Sequence, residues 1–180
     1  IVVEVFSGLM RYDTNLNLVP DIAKDISIED GVVYTFTLKD DVVFHSGKSV
    51  TAHDFKWSLE RAANPETASP VADTYLNDIV GFDAYWDGNS NEITGIKVID
   101  DNTLQISIDA PKVYFLAKMT YPTAYVLDQE VVEEGGRNWW VARPVGTGPF
   151  TLKEYRIGER IVLERFDDYY GDPAMIDKVE

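Results

Sequence analysis

Phe44-His45-Ser46-Gly47-Lys48-Ser49-Val50-Thr51-Ala52-His53-Asp54-Phe55-Lys56-Trp57-Ser58-Leu59-Glu60-Arg61 sets a strand end, a tight turn and a capped helix side by side. Thr51 is the expected N-cap. Asp54, three residues on, can reach back to the Thr51 amide, which makes a capping box with Asp in the usual Glu position. Phe55, Leu59 and Ala62 then share one helical face, and Asn64-Pro65 ends the helix because the residue before a proline avoids the helical region. Gly47 supplies the turn.

Outward from that stretch, Val33 to Lys39 alternates, with Tyr34, Phe36 and Leu38 on one face and Thr35, Thr37 and Lys39 on the other. This is the pattern of a strand with one wet side, entered from a turn at Asp30-Gly31. Thr94–Asp100 and Thr103–Ile108 form a hairpin across Asp101-Asn102, and Val71 to Trp86 reads as one or two short helices. Val113–Met119 reads as a short apolar helix, Ala124–Leu127 as strand-like, and Asp128 as the cap of a helix stopped by Gly135-Gly136. Phe150–Tyr155 and Arg160–Phe166 pair across Gly158. At the start, Ile1–Phe6 reads as a strand or buried approach and Ser7–Met10 as a helical turn. Antiparallel pairs with scattered helices define an α+β, mixed class. The apolar opening and the break at Ile176–Glu180 lead us to expect a piece of something larger.

The chain of 180 residues is 45% hydrophobic, enough for one substantial core or two small ones. Its 31 acidic against 16 basic residues give a formal charge of −15, which repels phosphate backbones and anionic lipid, so nucleic acid and membrane surfaces are poor partners. The absence of cysteine removes disulfides, thiolate metal sites and cysteine nucleophiles.

Catalytic patterns find little support. His45 and His53 are read as a turn histidine and a solvated helix-end histidine, since a metal or catalytic site needs more convergent donors. No Ser occupies a nucleophile elbow. The acid pairs Asp40-Asp41, Glu133-Glu134 and Asp167-Asp168 lack the spacing of a calcium loop and are read as solvated faces rather than a glycosidase pair. Arg143-Pro144-Val145-Gly146-Thr147-Gly148-Pro149-Phe150 is glycine-rich but fits neither phosphate-binding fingerprint. Its backbone groups suit a ligand that carries amides of its own. Trp139, Trp140, Tyr169 and Tyr170 flank that loop in sequence; residues of this size usually fill cores, and a cleft wall is the alternative.

Together these motifs resemble the extracytoplasmic solute-binding proteins of ABC transporters, in the oligopeptide- and dipeptide-binding family. The resemblance rests on Phe6-Ser7-Gly8-Leu9 with Leu18-Val19-Pro20-Asp21-Ile22-Ala23, on Tyr34–Leu38, and on Phe44–Gly47 with Val50–Phe55. It continues through Gly146–Phe150 and Val162–Arg165 to Asp168-Tyr169-Tyr170, and Asn64–Pro70 is similar to the oligopeptide-binding branch. It implies a periplasmic-binding-protein-like lobe with an inserted α+β subdomain and a second lobe missing from this chain. Residues 1–14 and 124–180 would belong to ligand-binding lobe I, and 15–123 to the insert. The implied role is capture of oligopeptides in the periplasm or at the outer cell face, with a lipid anchor outside this chain, and delivery to permease subunits. Ligand contacts are expected first from Val145, Gly146, Thr147 and Gly148, then from Trp139 and Trp140. No catalytic residue, metal or cofactor is expected. The group receiving a peptide's amino terminus belongs to the other lobe, so the chain alone should bind weakly, and its uncovered apolar surface favours self-association. An oligosaccharide, opine or nickel complex is the alternative ligand within the fold, and a hydrolytic enzyme domain the distant one.

Overall fold

The structure is a computed structural model that describes residues 1–142 and 144–180. It divides into two compact units, one of Ile1–Ser7, Asp41–Val50 and Val126–Glu180, the other of Gly8–Asp40 and Thr51–Tyr125. This differs from the sequence division at 14/15 and 123/124 chiefly in Asp41–Val50, which belongs with the chain ends. The reason is in its hydrogen bonds: within that unit the His45 amide donates to the Gly146 carbonyl at 2.8 Å, and Val50 to Val42 at 3.0 Å.

The unit of Gly8–Asp40 and Thr51–Tyr125 carries a small hairpin, β1 (Met10–Tyr12) with β2 (Leu18–Pro20). Its main sheet contains β3 (Ala23–Glu29), β4 (Val33–Leu38), β5 (Ile96–Asp100) and β6 (Thr103–Ser107) in the order β3-β4-β6-β5, all antiparallel. Alternation on β4 works as read: Tyr34, Phe36 and Leu38 are buried, with Tyr34 opposite Ile106 and Phe36 opposite Leu104.

The helix Ala52–Ala63 packs on β5 and β6. Its capping box is complete, the Thr51 amide donating to Asp54 Oδ2 at 2.8 Å and the Asp54 amide to Thr51 Oγ1 at 3.4 Å. The buried face closes on Ala63 rather than the expected Ala62: Phe55, Leu59 and Ala63 are 0% exposed, a strict four-residue row, while Ala62 stays half-buried. Burying Phe55 and Leu59 is worth roughly 1.5–3 kcal/mol each. Thr51→Ala removes one arm of the box and should cost about 1 kcal/mol by urea denaturation; a loss indistinguishable from zero would show that the Asp54 carboxylate alone holds the helix start.

The other unit contains β7 (Phe150–Arg156), β8 (Arg160–Arg165) and β9 (Lys178–Val179), paired antiparallel in that order, with Gly158 at φ +76° in the β7–β8 turn. Lys153 is an extra residue on β7, since Leu152 pairs with Leu163 while Glu154 pairs with Val162. Such a bulge flips the alternation, so Phe150, Leu152 and Tyr155 lie on one face. Val5, Phe150 and Leu163 form the core there.

Four local expectations change. Ile1–Phe6 is not a strand: Val2–Val5 is a helical turn in which the Val5 amide donates to Ile1 at 3.1 Å and Phe6 to Val2 at 2.9 Å. Coiled, the run packs against β7 and turns Val5 into the core with Phe150 and Leu163. Ser7–Met10 is not a helical turn either, as Gly8 bridges Tyr125 and Met10 opens β1. That same bridge is all that remains of the strand expected at Ala124–Leu127. Finally, Asp128 stands at the N-cap of Gln129–Gly135 but its side chain caps nothing; its Oδ2 accepts from Ser46 Oγ at 3.0 Å instead, and Lys48 Nζ lies 3.5 Å from Oδ1.

Candidate functional site

The glycine-rich loop lies in the unit of Ile1–Ser7, Asp41–Val50 and Val126–Glu180. Its tightness follows from residue size. A Cβ on Gly146 would fall 1.9 Å from the Val5 carbonyl oxygen, and one on Gly148 2.4 Å from that of Glu4. Only glycine admits such an approach. The Gly148 amide donates to the Val5 carbonyl at 2.9 Å.

His45 closes the loop from the other side. Its Nδ1 accepts from the Gly146 amide at 3.3 Å and its Nε2 lies 2.9 Å from the Gly148 carbonyl, while the ring meets Phe166 edge-on at 4.7 Å. An amide always donates, so Nδ1 must be bare and Nε2 must carry the proton. Neutral imidazole in one tautomer satisfies all of it. Burial pushes the imidazole below its ordinary value of 6.5, with the bond to Gly148 offsetting part of that push.

Beside the loop, in the same unit, lies an apolar cleft of about 210 Å³, lined by Val2, Val5, Phe6, Trp140, Leu152 and Tyr155 together with Ile1 and Pro144. The Lys153 bulge is what brings Leu152 and Tyr155 to it together. Trp140 meets Tyr155 edge-on at 6.1 Å and keeps 49% of its surface exposed. Trp139 is less exposed and stands edge-on to Phe6 at 5.9 Å.

Of the residues singled out from sequence, Trp140 lines this cleft and Trp139 braces Phe6, which also lines it. Val145, Gly146, Thr147 and Gly148 are buried. The amides of both glycines are engaged within the unit, so in this arrangement they offer a ligand no free donor. Thr147 Oγ1 is fully buried with no hydrogen-bond partner among the described residues. Arg143, the first residue of the glycine-rich stretch, lies outside the described residues. Reading the sequence missed His45 as a member of the site, and Val2, Val5, Leu152 and Tyr155 as cleft wall. No local signal could have found them, since His45 meets Gly146 across 101 residues of chain.

The arrangement can take up apolar groups and exclude water from them; among the described residues it presents no nucleophile beside a base. Among the described residues no group of three or more His, Cys, Asp or Glu is placed to hold a metal, and no helix is long and apolar enough to cross a membrane.

Residues 17–180 match the family model described as bacterial extracellular solute-binding proteins, family 5 Middle. The chain is 35% identical over 178 residues to the periplasmic oligopeptide-binding protein OppA of Escherichia coli strain K12, a match covering 96% of this chain and 32% of that protein. It therefore spans about a third of the length of the curated relatives it matches. Among solved structures, a periplasmic oligopeptide-binding protein from Borrelia burgdorferi superposes with a TM-score of 0.92 at 34% identity, covering 98% of this chain and 36% of that one. Haemophilus influenzae OppA in complex with RPPGFSPFR gives a TM-score of 0.86 at 30% identity, covering 93% and 34%.

Proposed function

Because the chain belongs to the bacterial extracellular solute-binding proteins of family 5, we propose that it forms part of the ligand-gripping surface of a receptor that captures oligopeptides outside the cytoplasm and passes them to the permease subunits of an ABC importer. The observation that carries this reading within the chain is the apolar cleft, with Trp140 half-exposed over it. A large amphipathic ring at the mouth of an apolar recess is the usual form of a binding hot spot. In this reading the rest of the grip comes from a second lobe that closes over the ligand. Trp139 has the supporting part of fixing Phe6, and the loop of Val145, Gly146, Thr147 and Gly148 that of fixing the cleft's floor.

Calorimetry of the protein at its natural length with mixed tri- to pentapeptides tests the reading. Peptides with an apolar residue should bind, and Trp140→Ala should weaken them about tenfold or more, about 1.4 kcal/mol. No peptide binding while an oligosaccharide or a metal chelate binds would overturn it.

A further inference from the structure

We propose that His45 is the positioning residue of the cleft and its acid-sensitive latch: as neutral imidazole it holds the Gly146–Gly148 loop, and with it the Val5–Phe6 wall, and on protonation it lets go. The geometry runs in three contacts within one unit. His45 binds the Gly146 amide through Nδ1 and the Gly148 carbonyl through Nε2. Gly148 in turn donates to Val5, and Gly146 packs against Val5 and Phe6 with no room for a Cβ. Val5 and Phe6 line the cleft. Adding a proton to Nδ1 sets two N–H groups against one another, so the amide of buried Gly146 loses its acceptor, and an amide left so is costly.

The charged neighbours do not favour the imidazolium strongly enough to offset this. On its own loop, Lys48 lies 3.5 Å from Asp128. Beside Phe166, Arg165 pairs with Asp167 at 2.8 Å and with Asp177 at 2.5 Å, and Asp168 follows. On the helical turn packed against the loop the charged side chain is Glu4. Desolvation leads the causes acting on His45, and no carboxylate stands among them. Between the lowered folded value and about 6.5, the unfolded chain takes up a proton that the folded chain refuses. Stability therefore rises with pH across that window and is lost as pH falls below about 6.5.

As a device acting on ligand, the latch rests on the peptide-binding reading above, and the test separates the two. Hydrogen exchange read by mass spectrometry on the segment 144–149, in the protein at its natural length and corrected for intrinsic rates, should show protection falling about tenfold between pH 7.5 and 5. His45→Asn keeps an acceptor near the Nδ1 position and does not titrate, so its protection should be flat with pH. Peptide affinity should fall in parallel in the parent protein and stay level in the variant. Protection in the parent that does not change with pH overturns the latch whether or not the variant folds. A pH-dependent latch in a protein that binds no peptide overturns the functional reading alone.

Discussion

Gly146→Ala should abolish folding or cost at least about 3 kcal/mol in chemical denaturation, among the largest effects a single added methyl can have. The added Cβ would sit 1.9 Å from the Val5 carbonyl oxygen and 2.8 Å from the Val5 carbonyl carbon. Both are backbone atoms, so no side-chain rotation relieves the clash, and retreat of the helical turn Val2–Val5 would break the Gly148 to Val5 bond and uncover Val5 from the core it shares with Phe150 and Leu163. Gly148→Ala meets the Glu4 carbonyl oxygen at 2.4 Å and should behave alike. Gly47→Ala is the control: φ there is +86°, yet nothing lies within 4 Å of the added carbon, so only the left-handed backbone is penalised, by about 1–2 kcal/mol. Equal, mild losses at Gly146 and Gly47 would mean that the loop does not grip the chain start as described.

That contrast marks what reading the sequence could and could not supply. The capping box of Thr51 and Asp54 was legible because both partners lie within one helical turn. The Val33–Leu38 strand and the β5–β6 hairpin were legible because alternation and a two-residue turn are local signals. The strand β3 was not, since most of Ala23–Glu29 is exposed at a sheet edge and little of it alternates. The glycine-rich loop was visible as a motif, but what it touches was hidden: His45 lies 101 residues from Gly146, and Val5 further still. A histidine before a turn looks solvated until its partners arrive from elsewhere in the chain. Asp128 misled for the opposite reason: its position fitted a local cap, and a long-range bond to Ser46, 82 residues away, took the side chain instead. Trp140 was legible as a residue able to wall a cleft, while Leu152 and Tyr155 waited on the bulge at Lys153, which no sequence pattern announces.

In the other unit, the largest electrostatic effect should come from Asp78→Asn. The Asp78 side chain is 4% exposed, and it holds Lys112 Nζ at 2.5 Å on Oδ1 and Lys118 Nζ at 2.6 Å on Oδ2. Lys112 also reaches Asp109 at 2.8 Å, and its ammonium is raised well above the ordinary 10.5 by the bond to Asp109 first and to Asp78 second. The carboxylate therefore ties the short segment after Leu76 to the segment that follows β6, a tie doubled by the Asp109 amide donating to the Asp78 carbonyl at 3.0 Å. Removing one charge from a buried pair leaves the partner uncompensated, which costs about 3–5 kcal/mol when both groups are buried. Here the lysines keep 20% and 18% of their side-chain surface and can lean toward water, so about 2–3 kcal/mol is expected. Because the carboxylate is shielded, the loss should change little between low and high salt, unlike that of a surface pair. Combining Asp78→Asn with Lys118→Met should recover part of it, since the second change removes one of two ammonium groups left facing each other. An Asp78→Asn chain within about 0.5 kcal/mol of the parent, or a double variant no better than the sum of its parts, would mean that water rather than the carboxylate holds these lysines.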